Sequence, residues 1–141
     1  MNYGAVTGDF AKCENLADAS YHLSAGPQAV DWLLRVEDVN DGAQVTARGG
    51  RYQPNAWGLF DMHGNVAEWT RSAYRSYPYD AADGREEESA AGPRVARGGS
   101  YADRPVRARS AFRLAYEPWQ AVHNVGLRVV CEPEAPKVAA K

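Results

Sequence analysis

Asn55-Ala-Trp-Gly-Leu-Phe-Asp-Met-His-Gly-Asn-Val-Ala-Glu-Trp69 is the stretch on which the reading of this chain turns. Trp57 and Trp69 are large apolar anchors, and Gly58 and Gly64 mark tight backbone. Asp61, Asn65 and Glu68 bring oxygen donors to the turn between them. Working outward, a second block stands at Arg94-Val-Ala-Arg-Gly-Gly-Ser-Tyr101 and a third at Gly126-Leu-Arg-Val-Val130.

Around these blocks the chain has the totals of a folded domain. It is 141 residues long, 11% aromatic and 24% charged, enough for one domain with a core and unlike a disordered segment. Its net charge of −2 gives no electrostatic case for nucleic acid, which is held by clustered Lys and Arg. Ala-Arg-Gly-Gly occurs at Ala47–Gly50 and again at Ala96–Gly99, but an acidic globular chain is not an RNA-binding low-complexity tract. No apolar run approaches the about 20 residues needed to cross a bilayer. Met1 to Phe10 has neither a basic start nor an apolar stretch, so no signal peptide is expected. The compartment stays unassigned. Cys13 and Cys131 lack zinc or redox spacing and read as two buried or semi-buried thiols.

Periodicity is weak. Met1 to Glu14 shows neither helical nor strand patterning, and Asn15 to Ser20 reads as a short polar segment. Ala29, Val30, Leu33 and Leu34 suit a helical turn or two, or a packed loop. Asn40-Asp41-Gly42 is a turn signal, and Val45 to Tyr52 is loop-like. A short strand is expected at Val66–Trp69, a long exposed loop over Arg71–Ala91, and a strand at Val95–Arg97 that breaks at the glycines. Arg107–Tyr116 is strand or irregular, Val125–Cys131 is a closing strand, and residues 132–141 are a flexible tail. The pattern gives an α+β fold of low regular secondary structure. Trp57, Trp69 and Trp119 are expected in the core, and Tyr74, Tyr77 and Tyr79 on a sticky surface.

The three blocks, in this order, resemble the formylglycine-generating enzyme family, also called sulfatase-modifying factor domains. The resemblance runs from about Asn15 to Val130. It implies a fold related to the C-type lectin core, with short antiparallel strands. It makes residues 1–131 a partial domain, because the family's front half, with its Arg-Leu-Pro-Thr-Glu-type motif, has no match before Asn15. The chain then reads as a C-terminal half that repacks, finds a peptide, protein or N-terminal-half partner, or begins at a misplaced start.

The resemblance also implies two structural Ca²⁺ sites, and that ion takes six to eight hard oxygen donors. One set comprises the side chains of Asp61 and Glu68 with the carbonyls of Gly64 and Val66. The other comprises the side chains of Asn15 and Asp41 with the carbonyls of Leu16 and Ala43. Turn capping and surface charge are the plainer alternative for the same side chains. Active members hold copper(I) on a cysteine pair after Arg-Gly-Gly-Ser. Here those positions are Asp103 and Ala108, so no catalytic residue and no copper is expected. The remaining expectation is a ligand groove around Asp103 and Arg104. Alternatively, the chain is part of an oxidoreductase, formylglycine-generating or sulfoxide-synthase-like, whose site needs the absent half or another chain. Many bacterial members have no assigned reaction.

Overall fold

The computed structural model describes residues 10–21 and 39–131. Its elements are α1 (Phe10–Cys13), β1 (Ala67–Ala73), β2 (Arg94–Arg97), α2 (Pro105–Ala108), β3 (Leu114–Tyr116) and β4 (Val125–Gly126). One four-stranded sheet runs in the order β3-β2-β1-β4. β1 pairs antiparallel with β2 through Glu68 against Arg97 and Trp69 against Ala96, and β2 pairs antiparallel with β3. This is the small α+β architecture expected from the pattern.

The strands are not all antiparallel. β4 runs parallel to β1, with Ala67 opposite Val125 and Glu68 opposite Gly126. The chain reaches this position by crossing over through residues 117–124, where turns close at Gln120 and Val125.

Alanines let the sheet pack closely. Ala67, Ala73, Val95 and Ala96 are buried at its centre. β1 also bulges: Trp69 to Ala73 spans the interval that Ala96 to Arg94 spans on β2. Thr70 spends its hydroxyl on the Val95 carbonyl across this irregularity, at 3.0 Å.

Most of the remaining backbone is satisfied between loops rather than in ladders. Ala17 N–H donates to Asp103, Ala19 N–H to Val39, Gly64 N–H to Gly98, Asn65 N–H to Asn15 and Tyr101 N–H to Asn65. The segment expected to be merely short and polar is therefore the best-buried stretch described. Asn15, Leu16 and Asp18 are 0% exposed. Its polar side chains are buried because each meets a loop that is distant in sequence.

Several other expectations need correction. Trp57 and Trp119 are 84% and 82% exposed, outside any core; only Trp69 is half-buried, edge-on to Tyr116 at 6.0 Å. Cys13 and Cys131 are exposed free thiols. A helical turn, α1, forms where no period was visible, and the closing strand is confined to Val125–Gly126. β1 extends three residues into the supposed loop over Arg71–Ala91, and Arg85 within that loop is buried. The guanidinium of Arg85 pairs with Asp83 at 2.6 Å and stacks on Tyr79. The expected helical turns over 28–36 and the tail at 132–141 lie outside the described residues.

Among the described glycines, Gly64 is the position where a side chain is least tolerable. Its φ is +74°, and a Cβ there would lie 2.3 Å from the Asn15 carbonyl oxygen, an atom of the backbone. Gly50 has a φ of +76° with nothing within 4 Å. Gly64→Ala is expected to destabilise by at least about 2 kcal/mol, and Gly50→Ala by about 1 kcal/mol. Equilibrium unfolding of the two variants in urea checks the difference.

Candidate functional site

Three loops meet where Asn15 crosses Gly64 in an isolated parallel bridge. Asn65, in the left-handed region at φ 62°, fixes the crossing. Its N–H donates to the Asn15 carbonyl at 2.7 Å, and its side chain makes a two-way link to Ala47, accepting from N–H and donating to C=O. The Asn15 amide donates to the Val45 carbonyl at 2.8 Å and to Asn65 Oδ1 at 3.3 Å. Asn15 Oδ1 is buried and meets no donor. A stranded amide oxygen in a fully buried residue costs about 1–3 kcal/mol unless something fills its lone pairs.

The 41–45 loop that Val45 belongs to carries a second accumulation of oxygen. Asp18 caps the helical turn that opens at Ala19, accepting from Ser20 N–H at 2.8 Å, and its other oxygen accepts from Asp41 N–H at 2.6 Å. The Asp41 carboxylate accepts from Ala43 N–H at 2.7 Å and from the Tyr52 hydroxyl at 3.0 Å. Ser20 Oγ sits against three acceptors: Asp18 Oδ1, Asp41 Oδ1 and the Ala43 carbonyl. A hydroxyl has one proton, so it satisfies one of them. Burial, the largest cause, holds the Asp41 carboxyl above its usual range; the charge of Asp18 adds to this, and the bonds from Ala43 and Tyr52 offset part of it. Burial, and after it the bond to the same carboxylate, raises the Tyr52 hydroxyl.

Of the second expected calcium set, Asp41 and Ala43 thus lie together. Asn15 reaches the same loop at Val45, two residues beyond Ala43, and Leu16 is fully buried beside it in sequence. A buried carboxylate bonded only to neutral donors and a stranded amide oxygen are hard oxygen groups of the type calcium takes. Among the described residues, no three His, Cys, Asp or Glu side chains cluster as a metal site.

The first set is arranged differently. Asp61 takes the left-handed region at φ 55°, and its Oδ2 accepts from Gly50 N–H at 2.7 Å. Asp61 Oδ1 is buried without a partner. Glu68, however, already holds a cation: Arg128 grips both of its oxygens at 2.6–3.1 Å. The same guanidinium donates to the carbonyls of Phe60 and Asp61 at 3.0 and 3.2 Å. Asp61 and Glu68 are therefore drawn together around an arginine fork. An ion here would find one stranded carboxylate oxygen and one carboxylate shared with Arg128.

Asp103 and Ala108 flank α2. Asp103 is buried, accepts from Ser100 Oγ at 2.6 Å and pairs with Arg107 at 3.0 Å, one helical turn on. Ser100 Oγ also accepts from the Asn124 amide at 2.8 Å. Asp103 is thus held as a strut between Ser100 and Arg107, and Arg104 is exposed. A locked carboxylate and a methyl group do not suit copper(I), which selects soft thiolates.

An open cavity of about 370 Å³ lies beside Ala108, lined by Glu14, His63, Pro105, Ala108, Arg109 and Ser110. His63 Nδ1 meets the Ala108 carbonyl, which only accepts, so Nδ1 donates and Nε2 lies outside that bond. Burial pushes the Glu14 carboxyl up, and His63 partly offsets it. Sequence reasoning passed over Glu14, because its place beside His63 depends on the Asn15–Gly64 crossing next to both.

Arg97, Arg109 and Arg113 each reach a backbone oxygen. Arg97 donates to Ser110 and Arg113 to Arg75 at 2.6 and 2.7 Å. Arg113 also lies over the rings of Tyr74 and Tyr77, so those exposed tyrosines are held rather than loose.

Residues 4–133 match the sulfatase-modifying factor enzyme 1-like domain. The formylglycine-generating enzyme of Mycobacterium tuberculosis is 33% identical over 119 residues, which cover 72% of this chain and 39% of that protein. A serine/threonine-protein kinase, pkn1, of Chlamydia pneumoniae is 37% identical over 82 residues, covering 55% of this chain and 13% of the kinase. Among solved structures, PvdO from Pseudomonas aeruginosa matches with a TM-score of 0.63 at 25% identity, over 90% of this chain and 41% of that one. The chain therefore spans well under half the length of these relatives. Among the described residues, no helix is long and apolar enough to cross a membrane.

Asp103→Ala is expected to cost about 1–3 kcal/mol, because it strands the Ser100 hydroxyl in a buried place. Arg107→Ala, at a side chain 54% exposed, is expected to cost less than about 1 kcal/mol. Thermal melting of the two variants tests whether Asp103 is a strut.

Proposed function

The chain belongs to the sulfatase-modifying factor enzyme 1-like family, and from that premise we propose that it is a non-catalytic member: a calcium-stabilised module, on a scaffold related to the C-type lectin core, that binds a peptide or protein through the cavity at α2. The observation that carries this reading is Asp103. Where active relatives hold a thiol, this chain holds a carboxylate locked between Ser100 and Arg107. Ala108 supplies no donor at the second position. Cys13 and Cys131, both exposed, lie outside the motif.

Calcium supplies coordination here and no chemistry. Asn15, Leu16, Asp41 and Ala43 would hold one ion, and Asp61, Gly64 and Val66 a second, with Glu68 shared with Arg128. In a fold whose loops outnumber its ladders, an ion can satisfy oxygens that no N–H reaches. The cavity offers Glu14, the His63 ring and the Ser110 hydroxyl to a polar ligand, with exposed Arg104 adjoining Pro105.

Calcium is expected to raise the melting temperature of the chelator-treated chain, since a ligand bound only by the folded state stabilises it by about 2.7 kcal/mol at a hundredfold excess over its Kd. Asp41→Ala is expected to abolish most of the rise, with Asp61→Ala removing a smaller part. Identical melting curves with calcium and with chelator would remove the ion from the account. The competing oxidoreductase reading is tested separately. With copper(I) and a cysteine-containing peptide the chain is expected to consume oxygen at the background rate, and turnover above background would overturn the non-catalytic assignment.

A further inference from the structure

Three guanidiniums, carried by separate parts of the chain, line one small cavity. Arg85 comes from the loop after β1, Arg97 ends β2, and Arg113 stands just before β3. The cavity holds about 80 Å³, and Ser72 and Glu86 also reach it. It shares no described lining residue with the cavity at α2.

The positive charge there is only partly matched. Asp83 takes Nε and one terminal nitrogen of Arg85, at 2.6–3.0 Å. Among the described residues, neither Arg97 nor Arg113 pairs with a carboxylate. Each spends one terminal nitrogen on a carbonyl, that of Ser110 for Arg97 and that of Arg75 for Arg113. A guanidinium carries five N–H groups, so most of theirs remain. Glu86, the one carboxylate among the described lining residues, faces the Ser72 hydroxyl with both oxygens, at 2.7 and 2.9 Å. Like charges around so small a volume repel unless an opposite charge sits among them.

Two tyrosines fix the geometry. The Arg113 guanidinium lies 3.8 Å over the Tyr77 ring, and that of Arg85 lies 4.7 Å over the Tyr79 ring. A ring covers the face of a guanidinium and leaves its in-plane N–H edge to an acceptor. Both tyrosines line the cavity and are more than half exposed, so the wall reaches solvent there.

We propose that Arg85, Arg97 and Arg113 form a binding site for a compact tetrahedral oxyanion, of which inorganic phosphate is the simplest. A planar carboxylate presents two oxygens to one side. A tetrahedral ion presents four oxygens in different directions, which suits donors from three chain segments. The volume exceeds what a single water needs. Glu86 limits the affinity, because its charge repels an anion. The site is separate from the proposed calcium loops and from the cavity at α2, and it stands or falls independently of both.

Calorimetric titration of the full chain with sodium phosphate, at constant ionic strength, tests this. One saturable site is expected, with a Kd below about 1 mM. Sodium chloride and sodium acetate are expected not to reproduce it. Arg97→Gln is expected to weaken binding by about tenfold, the cost of a lost charge-assisted bond. Glu86→Gln is expected to tighten it by about threefold, a gain that a purely structural cluster would not show. Melting without phosphate shows that each variant folds, and Glu86→Gln alone decides the matter if Arg97→Gln does not. A phosphoserine peptide run beside the free ion identifies the source of the oxyanion: tighter binding points to the phosphoryl end of a larger molecule, weaker binding to the free ion. Three results would each overturn the proposal: no saturable binding, equal binding of chloride, or an affinity that neither folded variant changes.

Discussion

The close crossing of Asn15 over Gly64 is the constraint on which the other contacts rest. Only a glycine lets these backbones approach, because a Cβ at 64 would meet the Asn15 carbonyl, carbon and nitrogen together. With the crossing made, Gly64 reaches Gly98, Asn65 reaches Asn15 and Ala47, and Tyr101 reaches Asn65. Loops from four parts of the chain are tied at one point. The short strands then line up beside the tie: β1 starts at Ala67, and β2 ends at Arg97 immediately before Gly98.

A fold fastened this way accumulates unmatched oxygen. Ladders pair donors with acceptors one to one, whereas loops crossing at asparagines and aspartates bring more acceptors than donors. The surplus is visible at Asn15 Oδ1 and Asp61 Oδ1, and around the single proton of Ser20. Two remedies are built from the same logic. At Glu68 an internal guanidinium supplies the positive charge. Around Asp41 the bonds on the carboxylate come from neutral donors, and the proposed calcium ion would be the complement.

Much of this was legible in the sequence, and the gaps have physical causes. The three blocks gave the positions of β1, β2 and the start of β4, and the α+β class. Asp41-Gly42 was readable as a turn from residue type alone. The parallel register of β4 was not, because a strand of two residues has no period to read. The size of Trp57 and Trp119 suggests a core, but size does not tell a core from a face open to solvent. The burial of Asn15–Ser20 was invisible because polar residues go inside only when distant loops supply their partners. Asp103 and Arg107 stand four residues apart, a helical spacing that could have announced their pairing had α2 been recognised.

The claim that a cation completes the Asn15–Asp41 loops is tested most directly by locating it. Crystals grown in calcium, with data collected for anomalous scattering, should show a peak within about 2.3–2.6 Å of Asn15 Oδ1, the Asp41 carboxylate and the Ala43 carbonyl. A map with no peak there, and with Asn15 Oδ1 bonded instead to a protein donor, would contradict the account.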